Sequence, residues 1–234
     1  MTRSIIRGLM ALTLAVTTTF GSAASAQSPV VVELFTSQGC SACPPADEML
    51  HALADRDDVI ALALHVDYWD YIGWADPFAD PVHAERQRGY AMQAGRRSIY
   101  TPQMIVGGVT DIVGHKPMKL AKVIAEHAAL QQTVTVAAQR AGAGIVIEAE
   151  AQSAGQYLVQ MLRYTPLQTT MIKRGENRGR TLDYANVTDG WQVLAEWDGV
   201  APLSLEAAAP GDKPVVILVQ DGAFGRIHAA AVVR

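Results

Sequence analysis

The two cysteines of the 234-residue chain, Cys40 and Cys43, sit where an apolar run ends and a helical pattern begins. Upstream, Val30-Val31-Val32-Glu33-Leu34-Phe35 is apolar and rich in β-branched residues, bounded by Pro29 and Gly39, as a buried parallel strand would be. Downstream, Met49, Leu50 and Leu53 supply the apolar face of a helix. A C-x-x-C at such a junction can serve as a staple, a metal site or a redox pair. As a staple it is weak, since closing so short a loop contributes about 2 kcal/mol in the chain-entropy model, against about 3 for fifteen residues. As a zinc site it supplies only half of the ligands a structural site takes. As a redox pair it has two thiols able to close a ring, and the spacing favours that use.

Before this stretch the chain reads as an export signal. Residues 1–7 carry Arg3 and Arg7 and no acid, residues 8–20 are apolar with threonines, and Ala24-Ser25-Ala26 is a small-x-small cleavage site. The apolar run is shorter than the roughly 20 residues of a membrane span. Cleavage after Ala26 and a periplasmic or secreted location are therefore expected, with no membrane attachment afterwards. Losing the two arginines takes Lys+Arg from 19 to 17 against 23 Asp+Glu, and the formal charge from -4 to -6. An acidic mature chain is a poor ligand for nucleic acid or anionic membranes.

Residues 59–66 form a second nearly continuous apolar run, read as a central parallel strand. If the two strands are parallel they end at one edge of the sheet, so the segment 65–80 should emerge beside the cysteines. It holds Tyr68, Trp69, Tyr71, Trp74 and Phe78. These rings suit a docking surface for a polypeptide, or simply a cover for the sheet. Asp80-Pro81 then opens a helix over 82–94, ended by Gly95. Residues 103–106 and 109–113 read as strands joined by a two-residue turn at Gly107-Gly108, and Lys116-Pro117 starts a helix running to His127. Pro44-Pro45 disfavours α geometry at Cys43, so the helix after the cysteines is expected to kink or start late.

Val32-Glu33-Leu34-Phe35-Thr36 leading into Gly39-Cys40-Ser41-Ala42-Cys43 resembles the opening of glutaredoxins and related thioredoxin-like proteins. The longer string through Pro44-Pro45-Ala46-Asp47, with the later His65-Val66-Asp67-Tyr68-Trp69-Asp70, resembles a bacterial family of secreted thioredoxin-like proteins of undefined biochemical role. The resemblance implies a thioredoxin-like fold over residues 27–131. It also implies that Thr101-Pro102 is a cis peptide facing the cysteines, that Cys40 attacks and Cys43 resolves, and that Pro102 and the backbone of Thr101 shape a peptide groove. Thioredoxins place a buried carboxylate near the pair. Glu33 is the candidate here, though its offset differs by one residue, which on a strand swaps faces; a salt-bridged glutamate is the alternative.

From residue 132 the pattern changes to short apolar runs at 133–138, 144–151, 156–164, 168–173, 181–187, 191–197, 214–220 and 226–233, separated by turn signals. The fold class expected is thus an α/β thioredoxin-like domain over 27–131, after the signal peptide 1–26, followed by an all-β, sandwich-like domain over 132–234. The basic stretch Lys173-Arg174-Gly175-Glu176-Asn177-Arg178-Gly179-Arg180 reads as a solvated hairpin loop.

The function these residues favour is an exported thiol-disulfide oxidoreductase acting on polypeptide or small thiols and disulfides, with no cofactor. Cys40 is expected to be the solvent-reachable, more acidic thiol, with Cys43 covered by the sheet edge and Pro102. Two alternatives use the same cysteines. One is copper handling, with Cu(I) held by Cys40, Cys43 and His65 or Met104. The other is a non-catalytic binding module with an idle disulfide. His65 is more simply a partly buried histidine bonded to a carboxylate or to backbone.

Overall fold

The computed structural model describes residues 28–234, so the expected signal peptide, 1–26, lies outside the described residues. β1 (Val30–Thr36) and β2 (Val59–His65) are parallel, in register from Val30 beside Val59 to Thr36 beside His65. Both are buried along their whole length, which explains their mainly apolar character apart from Glu33, Thr36 and His65. Between them lies α1 (Pro44–Ala54). It neither kinks at its start nor begins late: Cys43 takes φ -78°, ψ -38° and its carbonyl accepts from the N–H groups of Ala46 and Asp47 at 2.8 and 3.1 Å. The two prolines occupy the first helical turn, where a missing N–H leaves no bond unmade.

After β2 a single 3-10 turn, Asp70–Ile72, carries the aromatic segment to α2 (Pro81–Gln93). Asp80 caps that helix, its Oδ1 accepting from the Val82 N–H at 3.0 Å. β3 (Gln103–Val106) pairs antiparallel with β1, and β4 (Thr110–Val113) with β3, before α3 (Pro117–Ala128). The β3–β4 turn holds residues 107–109 and not two residues, because Val106 pairs with Thr110. Gly108 sits at φ +77°, and a Cβ there would collide with the carbonyl oxygen of Gly225. Only glycine lets the C-terminal segment approach this turn so closely.

The second half contributes β5 (Val134–Ala141), β6 (Gly144–Ala151), β7 (Tyr157–Met171), β8 (Thr181–Trp197), β9 (Leu203–Ala208), β10 (Val215–Asp221) and β11 (Ile227–Val233). Eight strands form one sheet in the order β11-β10-β7-β8-β2-β1-β3-β4, and β5-β6-β9 form a second. The two sheets do pack as a sandwich, with Ile145 and Ile147 against Val159, Met161, Val215 and Ile217. One of its layers, however, continues the sheet that begins at β1. β8 lies parallel to β2 with Val187 beside Ala63, and the Asn186 side-chain amide donates to the carbonyl of Ala61 at 2.9 Å. The fold is mixed α/β, and β7, β8, β10 and β11 extend the first sheet instead of starting apart from it.

Two pairs of expected strands are single long ones. The breaks anticipated within 156–173 and 181–197 are absorbed by β7 and β8, whose pairing shifts register around Gln160 and Leu162 while Gly190 takes φ +62°. Pro166 lies beyond the last β7–β10 pair, Arg163 with Val215, so its missing N–H faces no β10 partner. β9 was not expected from sequence. It is a half-buried strand beside β6 at the end of its sheet, and shows only a short alternation of Leu203, Leu205 and Ala207.

Side chains alternate across β1, and this sorts the core. Val30, Val32 and Leu34 face α1 and α3, where Leu50, Leu53, Leu120 and Ile124 meet them. Val31 and Phe35 face the other way, onto Tyr90 of α2 and Leu162, Tyr164, Val216 and Leu218 of the second half. The two halves of the chain therefore share one apolar cluster.

Candidate functional site around the cysteine pair

Cys40 and Cys43 are joined by a disulfide, with their Cα atoms 5.4 Å apart. Both are buried, at 1% and 0% exposure, while Ser41 and Ala42 between them are exposed. The solvent-reachable Cys40 expected from sequence is thus not found in this state. The loop before the pair is held from below: the Gln38 N–H donates to Asp76 Oδ2 at 2.8 Å, the Gly39 N–H to Ser37 Oγ at 3.0 Å, and the Cys40 N–H to the Ser37 carbonyl at 3.1 Å.

Glu33 takes the salt-bridged alternative and lies on the wrong face to serve the pair. It points with Phe35 toward α2, where Arg86 Nε donates to Oε1 at 2.6 Å and the Tyr90 hydroxyl donates to Oε2 at 2.6 Å. Arg86 also donates to Gln220 Oε1 and to the Ala223 carbonyl, and its guanidinium lies 4.1 Å from the Trp191 ring centroid. This buried knot ties α2 to the C-terminal strands.

The carboxyl on the cysteine side is Asp47, on α1. It follows Cys43 by one helical turn, so the two share a face. Its Oδ1 accepts from Thr36 Oγ1 at 2.7 Å, and its Oδ2 is buried with no hydrogen-bond partner in the protein. Burial pushes its pKa up to about 7, against the opposing pull of His65 and the Thr36 bond. Thr36 and His65 are register partners at the ends of β1 and β2, and in a parallel pair such partners point to the same face.

His65 is wholly buried. Its Nδ1 is 2.7 Å from Asp76 Oδ2, and its ring meets the edges of Tyr184 at 4.9 Å and Phe78 at 5.3 Å. The expectation of a carboxylate-bonded histidine is met. Burial works against ionisation of Asp76, but His65 and the N–H donors of Gln38 and Phe78 outweigh it and hold that carboxyl below the usual range. Cys40, Cys43 and His65 do not form a ligand set here. The sulfurs bond to each other, and among the described residues no group of three or more His, Cys, Asp or Glu side chains is arranged to hold a metal ion.

Thr101-Pro102 is a cis peptide. β3 runs antiparallel to β1 with Gln103 beside Phe35, which carries Pro102 to the level of Thr36. The aromatic segment closes over the same edge. Trp69 Nε1 donates to Thr101 Oγ1 at 2.7 Å, Trp74 Nε1 donates to Gln38 Oε1 at 2.9 Å, and a Cβ on Gly39 would lie 3.1 Å from Ile72 and 3.2 Å from Trp69.

The basic stretch is, as expected, a largely exposed loop joining β7 and β8, with six of its eight residues exposed, and it also bonds to the cysteine loop. It forms a strap, residues 172–180, between β7 and β8. Asn177, 1% exposed, donates its amide to the carbonyls of Gln38 at 3.0 Å and Cys40 at 2.9 Å. The exposed Glu176 carboxylate accepts from the Ser41 N–H at 3.0 Å, and hydrogen bonding from the Ser41 side chain first and its backbone second holds its pKa below the ordinary value. Gly175 packs on Ile72 and Trp74. Sequence reasoning missed Asp47, Asp76, Asn177 and Glu176 as site residues. Of these only Asp47 carried a readable signal, its four-residue offset from Cys43 on a helix.

A family model described as "Protein of unknown function (DUF1223)" matches residues 31–220, a span that takes in the cysteines, Asp47 and the strap. The chain belongs to the DUF1223 family. A DUF1223 chain of this architecture is similar to a protein from Agrobacterium tumefaciens solved by X-ray crystallography, with 31% identity over 87% of this chain and 93% of that one, and a TM-score of 0.76. It is similar also to HBP35 of Porphyromonas gingivalis, at 15% identity over 88% of this chain and 75% of that one, with a TM-score of 0.61, a likeness of fold alone. No curated protein matches the sequence.

Proposed function

We propose that this DUF1223 protein is an exported thiol-disulfide oxidoreductase whose first half is thioredoxin-like, working through Cys40 and Cys43 on polypeptide disulfides. The observation that carries the reading is Asp47: a buried carboxyl with one oxygen unpartnered, poised near neutrality, one helical turn beyond the second cysteine of a C-x-x-C disulfide. A buried acid with a shifted pKa beside a reactive pair is what general acid-base chemistry requires.

In the reducing direction, the Cys40 thiolate attacks a substrate disulfide. A bond forms between Cys40 and one substrate sulfur, and the other substrate sulfur leaves as a thiolate. Asp47 then takes the proton of the Cys43 thiol, and the Cys43 thiolate attacks the Cys40 sulfur. The ring closes, the second substrate sulfur leaves, and two electrons have passed to the substrate. The same steps in reverse oxidise a dithiol.

Disulfide reductase and oxidase assays on the intact protein and on Cys40→Ser/Cys43→Ser test the reading. Activity confined to the intact protein supports it, and equal behaviour of the two overturns it in favour of an idle disulfide. Asp47→Asn should slow release of a mixed disulfide by about 100-fold near pH 7, the lower range for loss of a general base.

A further inference from the structure

The strap does two things to Cys40 at once. It bonds to the Cys40 carbonyl through Asn177, and through Glu176 it brings a carboxylate to the N–H of the next residue, Ser41. That N–H belongs to the loop entering α1, at the positive end of the helix dipole. With the disulfide closed, Cys40 carries no charge and the Glu176 carboxylate has the Ser41 donor to itself. With the pair reduced, a Cys40 thiolate becomes a second anion beside the same donor. Like charges that share a site disfavour each other.

We propose that the strap is a redox-responsive gate. It closes over the disulfide through Glu176 and Asn177, and a thiolate on Cys40 drives it off by competing with Glu176 for the Ser41 N–H, so that the nucleophile is exposed to a polypeptide disulfide only in the reduced protein. The gate rests on the proposed cycling of Cys40 and Cys43, and it deepens that reading by adding how substrate is admitted and product expelled. Its hold on the oxidised state is made of a few polar bonds, two from Asn177 and one to Glu176. Arg180 Nη1 donates to Asn177 Oδ1 at 3.0 Å and holds the Asn177 amide toward the two carbonyls.

Hydrogen exchange of the 172–180 backbone, measured on the whole mature protein, reads the gate directly. Exchange in the reduced wild type should be about tenfold faster than in the oxidised wild type, the mark of local opening. Cys40→Ser/Cys43→Ser, which has neither disulfide nor thiolate, should exchange as slowly as the oxidised form. Glu176→Gln keeps an acceptor for Ser41 but no charge, and should lose most of the difference between the two redox states. Asn177→Ala should speed reduction of the disulfide by dithiothreitol several-fold. Equal strap exchange in oxidised and reduced wild type, fast exchange in the double serine variant, or an undiminished redox difference in Glu176→Gln would each overturn the gate. Thiol counting with near-UV circular dichroism separates the two ideas. A pair that cannot be reduced without unfolding overturns the oxidoreductase reading and the gate together, whereas a reducible pair under an unresponsive strap overturns the gate alone.

Discussion

The side-chain amide of Asn177 donates to the backbone carbonyl of Cys40 at 2.9 Å across a sequence separation of 137 residues. Asn177 itself is buried, so the bond is shielded from water and fixes one half of the chain on the cysteine loop of the other. The relationship makes the second half part of the site.

Asp47 should make stability fall with rising pH. Its carboxyl has a folded-state pKa of about 7 against the ordinary 3.8, so between those values the folded protein holds a proton that the unfolded chain has released. No penalty exists below the lower value, and it is complete above the upper one, where it reaches on the order of 4 kcal/mol. Asp47→Asn removes it. Urea unfolding at pH 5 and pH 8 should therefore show a larger stabilisation by Asp47→Asn at pH 8; the same difference at both pH values would refute the assignment.

Arg86→Met should cost about 3–5 kcal/mol, because it leaves Glu33 buried and unpaired. Glu33 and Arg86 are 0% and 5% exposed in their side chains, so water cannot replace the lost partner. Denaturant titration checks the size of the loss. A change under 1 kcal/mol would mean that the pair is solvated in solution.

A chain ending at Gln131 should not fold cooperatively. Its β2 would lose β8 as a neighbour, and Phe35, Leu62 and Leu64 would lose Leu162, Tyr164, Val216 and Leu218. Phe35, Leu62 and Leu64, exposed at about 1.5–3 kcal/mol each, are comparable with the whole stability of a domain. Circular dichroism with thermal melting decides it: a sharp transition and a titratable disulfide in the fragment would show that the first half is independent.

Tryptophan emission should rise on reduction. Trp69 and Trp74 bond to Thr101 and Gln38, on either side of the cysteine loop, and a neighbouring disulfide quenches indole fluorescence. Trp69→Phe and Trp74→Phe should each remove part of the change, while Trp197, in the sandwich core, should contribute none of it. A redox-independent spectrum would place both rings too far from the sulfurs.

Much of the first half was legible because its signals are local. The mainly apolar runs of β1 and β2, the Asp80-Pro81 start of α2 and the proline before β3 each state their own geometry in a few residues. The cis peptide at Thr101-Pro102 was expected through resemblance, and it is present. Glu33 is salt-bridged, the alternative that the one-residue offset already raised, because face assignment on a strand turns on a single residue and the pleat sends Glu33 toward Arg86 while Thr36 faces Asp47. Residues 173–180 are largely exposed, as their polar composition led one to expect, but composition cannot tell a loop wholly in water from one whose Asn and Glu find backbone partners elsewhere.

What the sequence by itself determined is the cysteine pair, its place between a buried strand and a helix, and the β-rich character of the second half, because spacing and periodicity act over a few neighbouring residues. Only the tertiary structure decided that β8 joins the sheet at β2, that Asp47 and not Glu33 lies on the cysteine side, and that the strap bonds to the cysteine loop. These are pairings between segments more than a hundred residues apart, or choices between two faces of one strand. Both are settled by which partner best satisfies buried donors, acceptors and apolar surface at once, and no local pattern encodes that.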